Sequence, residues 1–87
     1  MIVVDDEIDI AETLADYFEM QGFAVKIAVN GQELKKILPE FTPHIVLLDL
    51  NMPGEDGLTL TRYLREHTRA GIIMVTASAG QVDMVVG

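Results

Sequence analysis

Apolar residues in this chain arrive as short unbroken runs, separated by segments in which they recur every three or four positions. The runs are Met1-Ile2-Val3-Val4, Ile45-Val46-Leu47-Leu48 and Ile72-Ile73-Met74-Val75. Runs this short, rich in β-branched residues and leucine, predict strands buried on both faces. Phe23 to Ala28 alternates instead, with Phe23, Val25 and Ile27 against Ala24 and Lys26. That predicts a strand with one exposed side at the edge of the sheet. In the first periodic segment Ile8, Ala11, Leu14, Ala15 and Phe18 share one stripe of a helix. Acids at its start suit the positive end of the helix dipole, and Gly22 suits the position just past its end. Asn30-Gly31-Gln32-Glu33 reads as a capping box opening a second helix, with Leu34, Ile37 and Leu38 inward and a stop near Pro39. Asp56 caps a third helix from about Gly57 to His67, its inner face formed by Leu58, Leu60, Thr61 and Leu64. Gln81 to Val86, with Val82, Val85 and Val86 apolar, reads as the first turns of a fourth helix, and Ser78 as its N-cap.

Strands alternating with single helices imply a parallel sheet with right-handed crossovers, an α/β fold. Eighty-seven residues hold one small domain, and a hydrophobic share of 49% excludes a disordered tail. No apolar run reaches membrane-spanning length, so the reading expects a cytoplasmic protein with no membrane contact. The absence of cysteine removes disulfides, thiolate metal sites and cysteine nucleophiles together. Fourteen acids against six bases give a net charge of −8, a surface that repels nucleic acid. Any action on DNA would therefore belong to another domain.

The acids become informative by position. The first strand ends in Asp5 and Asp6, and the central one ends in Asp49, just before the Pro53-Gly54 turn. In open α/β sheets the crevice at the carboxyl ends of the strands is where ligands bind. If the two strands are neighbours, three carboxylates crowd that crevice, and a cation relieves their repulsion. An all-oxygen donor set favours Mg²⁺ over Zn²⁺. The bland alternative is a set of unrelated, solvated acids at loop starts. Thr76 ends the fourth strand at the same rim, where its hydroxyl can reach an anion or simply satisfy itself. Asp49-Leu50-Asn51 opens like a helix–loop–helix calcium loop, but Pro53 and Leu60 stand where ligands are required. There is no Walker-type loop and no GxGxxG. His44 and His67 have no partner at metal-ligand spacing.

VVDDE after the first strand, IVLLDLNMPGEDG at the third and IIMVTA at the fourth together resemble the receiver domain of two-component response regulators. The resemblance runs from Met1 to Gly87 and leans toward the winged-helix, OmpR/PhoB-like class. It implies a flavodoxin-like doubly wound parallel sheet, with strand order 2-1-3-4 for the strands present. By position, Asp49 resembles the phosphoacceptor, Asp6 the direct Mg²⁺ ligand and Asp5 its water-mediated companion. Asn51 resembles the residue whose backbone carbonyl completes the metal ligands, and Thr76 the switch hydroxyl. The implied phosphoryl donor is a sensor histidine kinase, and the implied output is transcription through a DNA-binding domain not in this chain. Such a module is a switch and not an enzyme acting on other substrates.

The resemblance further implies a fifth strand and fifth helix, with a lysine that contacts the phosphoryl group. Neither is read in these residues. The sequence is therefore expected to be a receiver domain, 1–87, incomplete at its C-terminus, with the fourth strand an open edge. That edge and the start of the fourth helix would offer a surface for a homodimer. Two other readings stay open: an interaction fragment that cannot be phosphorylated, and a Mg²⁺-dependent carboxylate phosphatase.

Overall fold

The computed structural model describes residues 1–52, 54, 56–78 and 81–86, with side chains as far as residue 75. In chain order the elements are β1 (Ile2–Val4), α1 (Ile8–Met20), β2 (Lys26–Ala28), α2 (Gly31–Ile37), β3 (Ile45–Asp49), α3 (Gly57–His67), β4 (Gly71–Ser78) and β5 (Gln81–Val86). They form one five-stranded sheet in the order β2-β1-β3-β4-β5. The first four strands are parallel, as single-helix crossovers require. No helix among the described residues is long and apolar enough to cross a membrane.

Strand alternation divides the core between the two faces. Ile2, Val4, Val46, Leu48 and Ile72 turn to one face and pack with Leu34 of α2 and Leu60 and Leu64 of α3. Val3 and Leu47 turn to the other and meet Ala11 of α1. Ala11 and Ala15 are the buried residues of α1, and their small side chains let that helix lie close to the sheet. Ile2, Val4, Leu34, Leu48 and Leu64 are among the fully buried side chains, each contributing about 1.5–3 kcal/mol by leaving water.

The helix ends follow their local chemistry. Asn30 accepts from the Glu33 amide at 2.9 Å, and the Glu33 carboxylate accepts from the Val29 amide at 3.0 Å. The box therefore closes one residue upstream of the N-cap. Asp56 accepts from the Leu58 amide at 3.0 Å and from the Thr59 hydroxyl at 2.9 Å, and these bonds hold its carboxyl below the usual range. At the end of α1, Gly22 has φ +97° and donates to Glu19, while the Phe23 amide returns to the Phe18 carbonyl, both at 3.0 Å. The Phe23 ring then packs edge-on to Phe18, 5.9 Å between centroids, completing a Schellman turn.

That turn explains one difference from the sequence pattern. Phe23 belongs to the end of α1, so β2 begins only at Lys26. A larger difference lies at the C-terminal end. Gln81 to Val86 is not the start of a helix but a strand, paired antiparallel to β4 with Gln81 opposite Ser78 and Val86 opposite Ile73. Ser78 accordingly lies in β4 and is not a helix N-cap. An antiparallel strand thus follows β4, which is not the lysine-bearing fifth strand that the resemblance implies, and β4 is not an open edge, which removes the premise of a homodimer through it. An apolar spacing of i, i+3, i+4 over six residues fits a strand as well as a helix, and pairing along β4 decides for the strand. In α3, Leu60, Thr61 and Leu64 are buried as expected, but Leu58 is 69% exposed.

Candidate functional site

The β1–β3 register sets Val4 opposite Leu48, so Asp5 and Asp49 come next along two adjacent parallel strands at the same end of the sheet. Asp6 follows on the loop toward α1. Among the described residues, Asp5, Asp6 and Asp49 form a group in which one carboxylate oxygen from each lies within 4.8 Å of the other two. Asp5 is buried, Asp49 half-buried and Asp6 exposed, so the cluster opens to solvent on one side.

Backbone amides hold two of the three carboxylates. The Glu7 amide donates to Asp5 Oδ1 and the Asn51 amide to Asp49 Oδ1, each at 2.9 Å. Both are Asx turns, in which an aspartate at a strand end accepts from the residue two positions on. The strand ends themselves are pinned across the sheet, Asp5 N–H to Ala28 and Leu50 N–H to Val75, both at 3.0 Å. These amides are the part of the site that motif reading missed. The signal was available, since Asp at i followed directly by a chain reversal is an Asx-turn signature at both positions.

Crowding has an electrostatic cost. Burial pushes the Asp5 carboxyl up from 3.8 to about 6, partly countered by the Glu7 amide; the charge of Asp49, a hydrogen bond shared with it and the charge of Asp6 add to the rise. A cation bound among the three would offset both the burial and the repulsion by favouring the charged form. The donors suit one: all are oxygen, and an ion with ligands at about 2.1–2.4 Å spans roughly 4–5 Å between opposite donors, the scale of the group.

Asn51 lies where expected, its amide tied to the Asp49 carboxylate. Thr76 follows Val75, the β4 partner of Asp49, so its backbone stands one step further along the same rim. The expectation for its hydroxyl, like those for Pro53 and for the side chain of Ala77, falls outside what is described.

A parallel doubly wound sheet with acids gathered at the carboxyl ends of its central strands is the architecture of a receiver domain. The chain belongs to that family, since the response regulator receiver domain model matches residues 1–87. TorR, the TorCAD operon transcriptional regulatory protein of Escherichia coli K12, is 38% identical over all 87 residues, which span 38% of its length. A response regulator of Burkholderia pseudomallei, solved with a phosphorylated aspartic acid, a calcium ion and citrate, superposes with a TM-score of 0.83. It is 32% identical, covering 90% of this chain and 46% of that one. Response regulator TrrA of Thermotoga maritima, solved in complex with Mg²⁺-BeF, gives a TM-score of 0.79 at 35% identity, covering 90% of this chain and 69% of that one.

Proposed function

We propose that this chain is the phosphoacceptor module of a two-component system. It takes a phosphoryl group from the phosphohistidine of a sensor histidine kinase onto Asp49 and thereby switches an output domain in the cytoplasm. The observation that carries this reading is the meeting of Asp5, Asp6 and Asp49 at the ends of two adjacent strands. The phosphorylated aspartate of the Burkholderia protein and the Mg²⁺-BeF complex of TrrA support it by relationship. The transcriptional role of TorR supports DNA-directed output through a separate domain.

Asp5, Asp6, Asp49 and the backbone carbonyl of Asn51 would hold Mg²⁺, which supplies neutralisation of the carboxylates and of the incoming phosphoryl oxygens. The remaining work belongs to the chain. The Asn51 amide fixes the plane of the Asp49 carboxylate by holding Oδ1. A carboxylate oxygen of Asp49 forms the new O–P bond as the donor's N–P bond breaks, and the imidazole leaves with that electron pair and takes up a proton. Such a transfer needs positioning and charge neutralisation and little else from the protein. Thr76, one step along the rim on β4, is the residue we assign to sense the new phosphoryl group through its hydroxyl. The module acts on itself and has no separate substrate to release.

The test is incubation with acetyl phosphate and Mg²⁺, read by intact mass. One phosphoryl group should add to the wild type and none to Asp49→Ala or to the wild type in excess chelator. An adduct of equal yield in Asp49→Ala would overturn the assignment.

A further inference from the structure

The sheet has two edges, and they are built differently. β2 closes one of them with three residues, the first of which is Lys26, a charge that discourages further pairing. β5 closes the other with six residues, Gln81–Val86, which include no proline and no lysine. Which main-chain groups of β5 face outward follows from the pairing of β4. Consecutive residues of a strand turn their N–H and C=O to opposite neighbours. The Gly71 amide donates to the His44 carbonyl at 2.9 Å, and the Val75 carbonyl accepts from the Leu50 amide at 3.0 Å. The odd-numbered residues of β4 therefore face β3, and Met74, Thr76 and Ser78 face β5. Their partners in β5 are Val85, Asp83 and Gln81, in a register unbroken by any bulge. The alternate residues, Val82, Met84 and Val86, thus turn their N–H and C=O away from β4, to a side where no strand lies among the described residues.

We propose that the outer edge of β5 pairs with the same edge of a second copy of this chain, antiparallel about a two-fold axis at Met84. The inference does not depend on Asp49 being the phosphoacceptor. That axis sets Met84 opposite Met84 of the second copy and Val82 opposite Val86. Each facing pair then exchanges two hydrogen bonds, and every outward N–H finds an outward C=O. An edge whose free groups are centred on one residue is its own complement, and such a contact closes after two copies. Asp83, the single charged residue of the strand, falls opposite Val85, so the two acids do not face each other. The net charge of −8 on each copy opposes the approach, and salt screens that repulsion. Association through this edge therefore strengthens with salt, where a contact made by ion pairs would weaken.

The experiment is sedimentation equilibrium of the full chain, with amide hydrogen exchange at low and high protein concentration. The apparent mass should rise from 9.6 kDa toward twice that value, and at lower concentration as sodium chloride is added. In the dilute chain the Asp83 and Val85 amides, which face β4, should exchange slowly, and those of Val82, Met84 and Val86 quickly. In the concentrated chain the outer three should become protected as well. A synthetic chain with an N-methyl group on the Met84 amide loses an outward donor and keeps every side chain. It should remain a monomer while Asp83 and Val85 stay protected. If the methyl group strips those two of protection, the β4–β5 pairing itself has opened, and the concentration dependence of the wild-type amides decides alone. A wild type that stays monomeric up to about 1 mM, the weak end of specific association, overturns the inference. So does a dimer whose Val82, Met84 and Val86 amides exchange as fast as in the monomer, and so does one that dissociates as salt is added.

Discussion

For a single residue, burial and neighbouring charge decide when Asp5 ionises. Its folded carboxyl holds a proton to about pH 6, while the unfolded chain releases it near 3.8. Between those values the native state binds more protons than the unfolded state, so raising the pH favours unfolding. Asp5 therefore helps stability below about pH 4 and loses that contribution progressively as pH rises through about 6. At about 1.4 kcal/mol for each pKa unit, and with the solvent-facing side of the cluster screened, the loss is on the order of 1–2 kcal/mol. Asp5→Asn cannot titrate, so urea midpoints across this window should show the variant gaining on the wild type as pH rises. Parallel curves would mean that Asp5 ionises as an ordinary carboxylate. The residue types of this site were legible because an acid at the end of a buried apolar run is conspicuous. The hydrogen bonds were legible only as an Asx-turn signature and not from residue type, because they are donated by the backbone of Glu7 and Asn51.

Elements were legible where sequence and local geometry agree. α3 spans Gly57–His67 with Asp56 as its cap, as its periodicity predicts. Asn30 caps α2 and Gly22 closes α1, each by the bond its residue type favours. The misreadings of Phe23 and of Gln81–Val86 share a physical cause, which is that a packing or pairing partner outside the segment settled an ambiguous local signal. Phe23 alternates like a strand residue but is claimed by Phe18. Gln81–Val86 has helical spacing but is claimed by β4. Leu58 is apolar, yet it is exposed while Leu60 in the same turn of α3 is buried in the core. Gly22 provides the cleanest test at this scale. A β-carbon there meets nothing within 4 Å, so the cost of Gly22→Ala is that of its φ of +97° alone. Denaturant unfolding should show a loss of about 1–2 kcal/mol, with Gly22→Asn recovering part of it. A neutral Gly22→Ala would mean that α1 ends by another route in solution.

In the whole molecule, the arrangement that makes the site also works against the fold. Parallel pairing of β1 with β3 brings Asp5, Asp6 and Asp49 together, in a chain whose net charge is already −8. Periodicity identifies those strands as buried and parallel, but it cannot say that the first lies beside the third. That adjacency came from the family resemblance and stands in the sheet order. Because the acids repel one another in the native state and much less in an unfolded chain, a bound cation should stabilise the folded protein specifically. At a free Mg²⁺ concentration one hundred times its dissociation constant the gain is about 2.7 kcal/mol. For a domain of this size each kcal/mol raises Tm by roughly 4–8 °C, so thermal unfolding followed by circular dichroism should shift upward by roughly 10–20 °C. Non-specific screening of the −8 charge by salt also stabilises, and it must be separated from binding. Sodium chloride at equal ionic strength should produce only the small screening shift, and Asp6→Ala should abolish the excess produced by Mg²⁺. If sodium chloride matched Mg²⁺, or if the excess survived in Asp6→Ala, the three carboxylates would be a crowded rim and not a metal site.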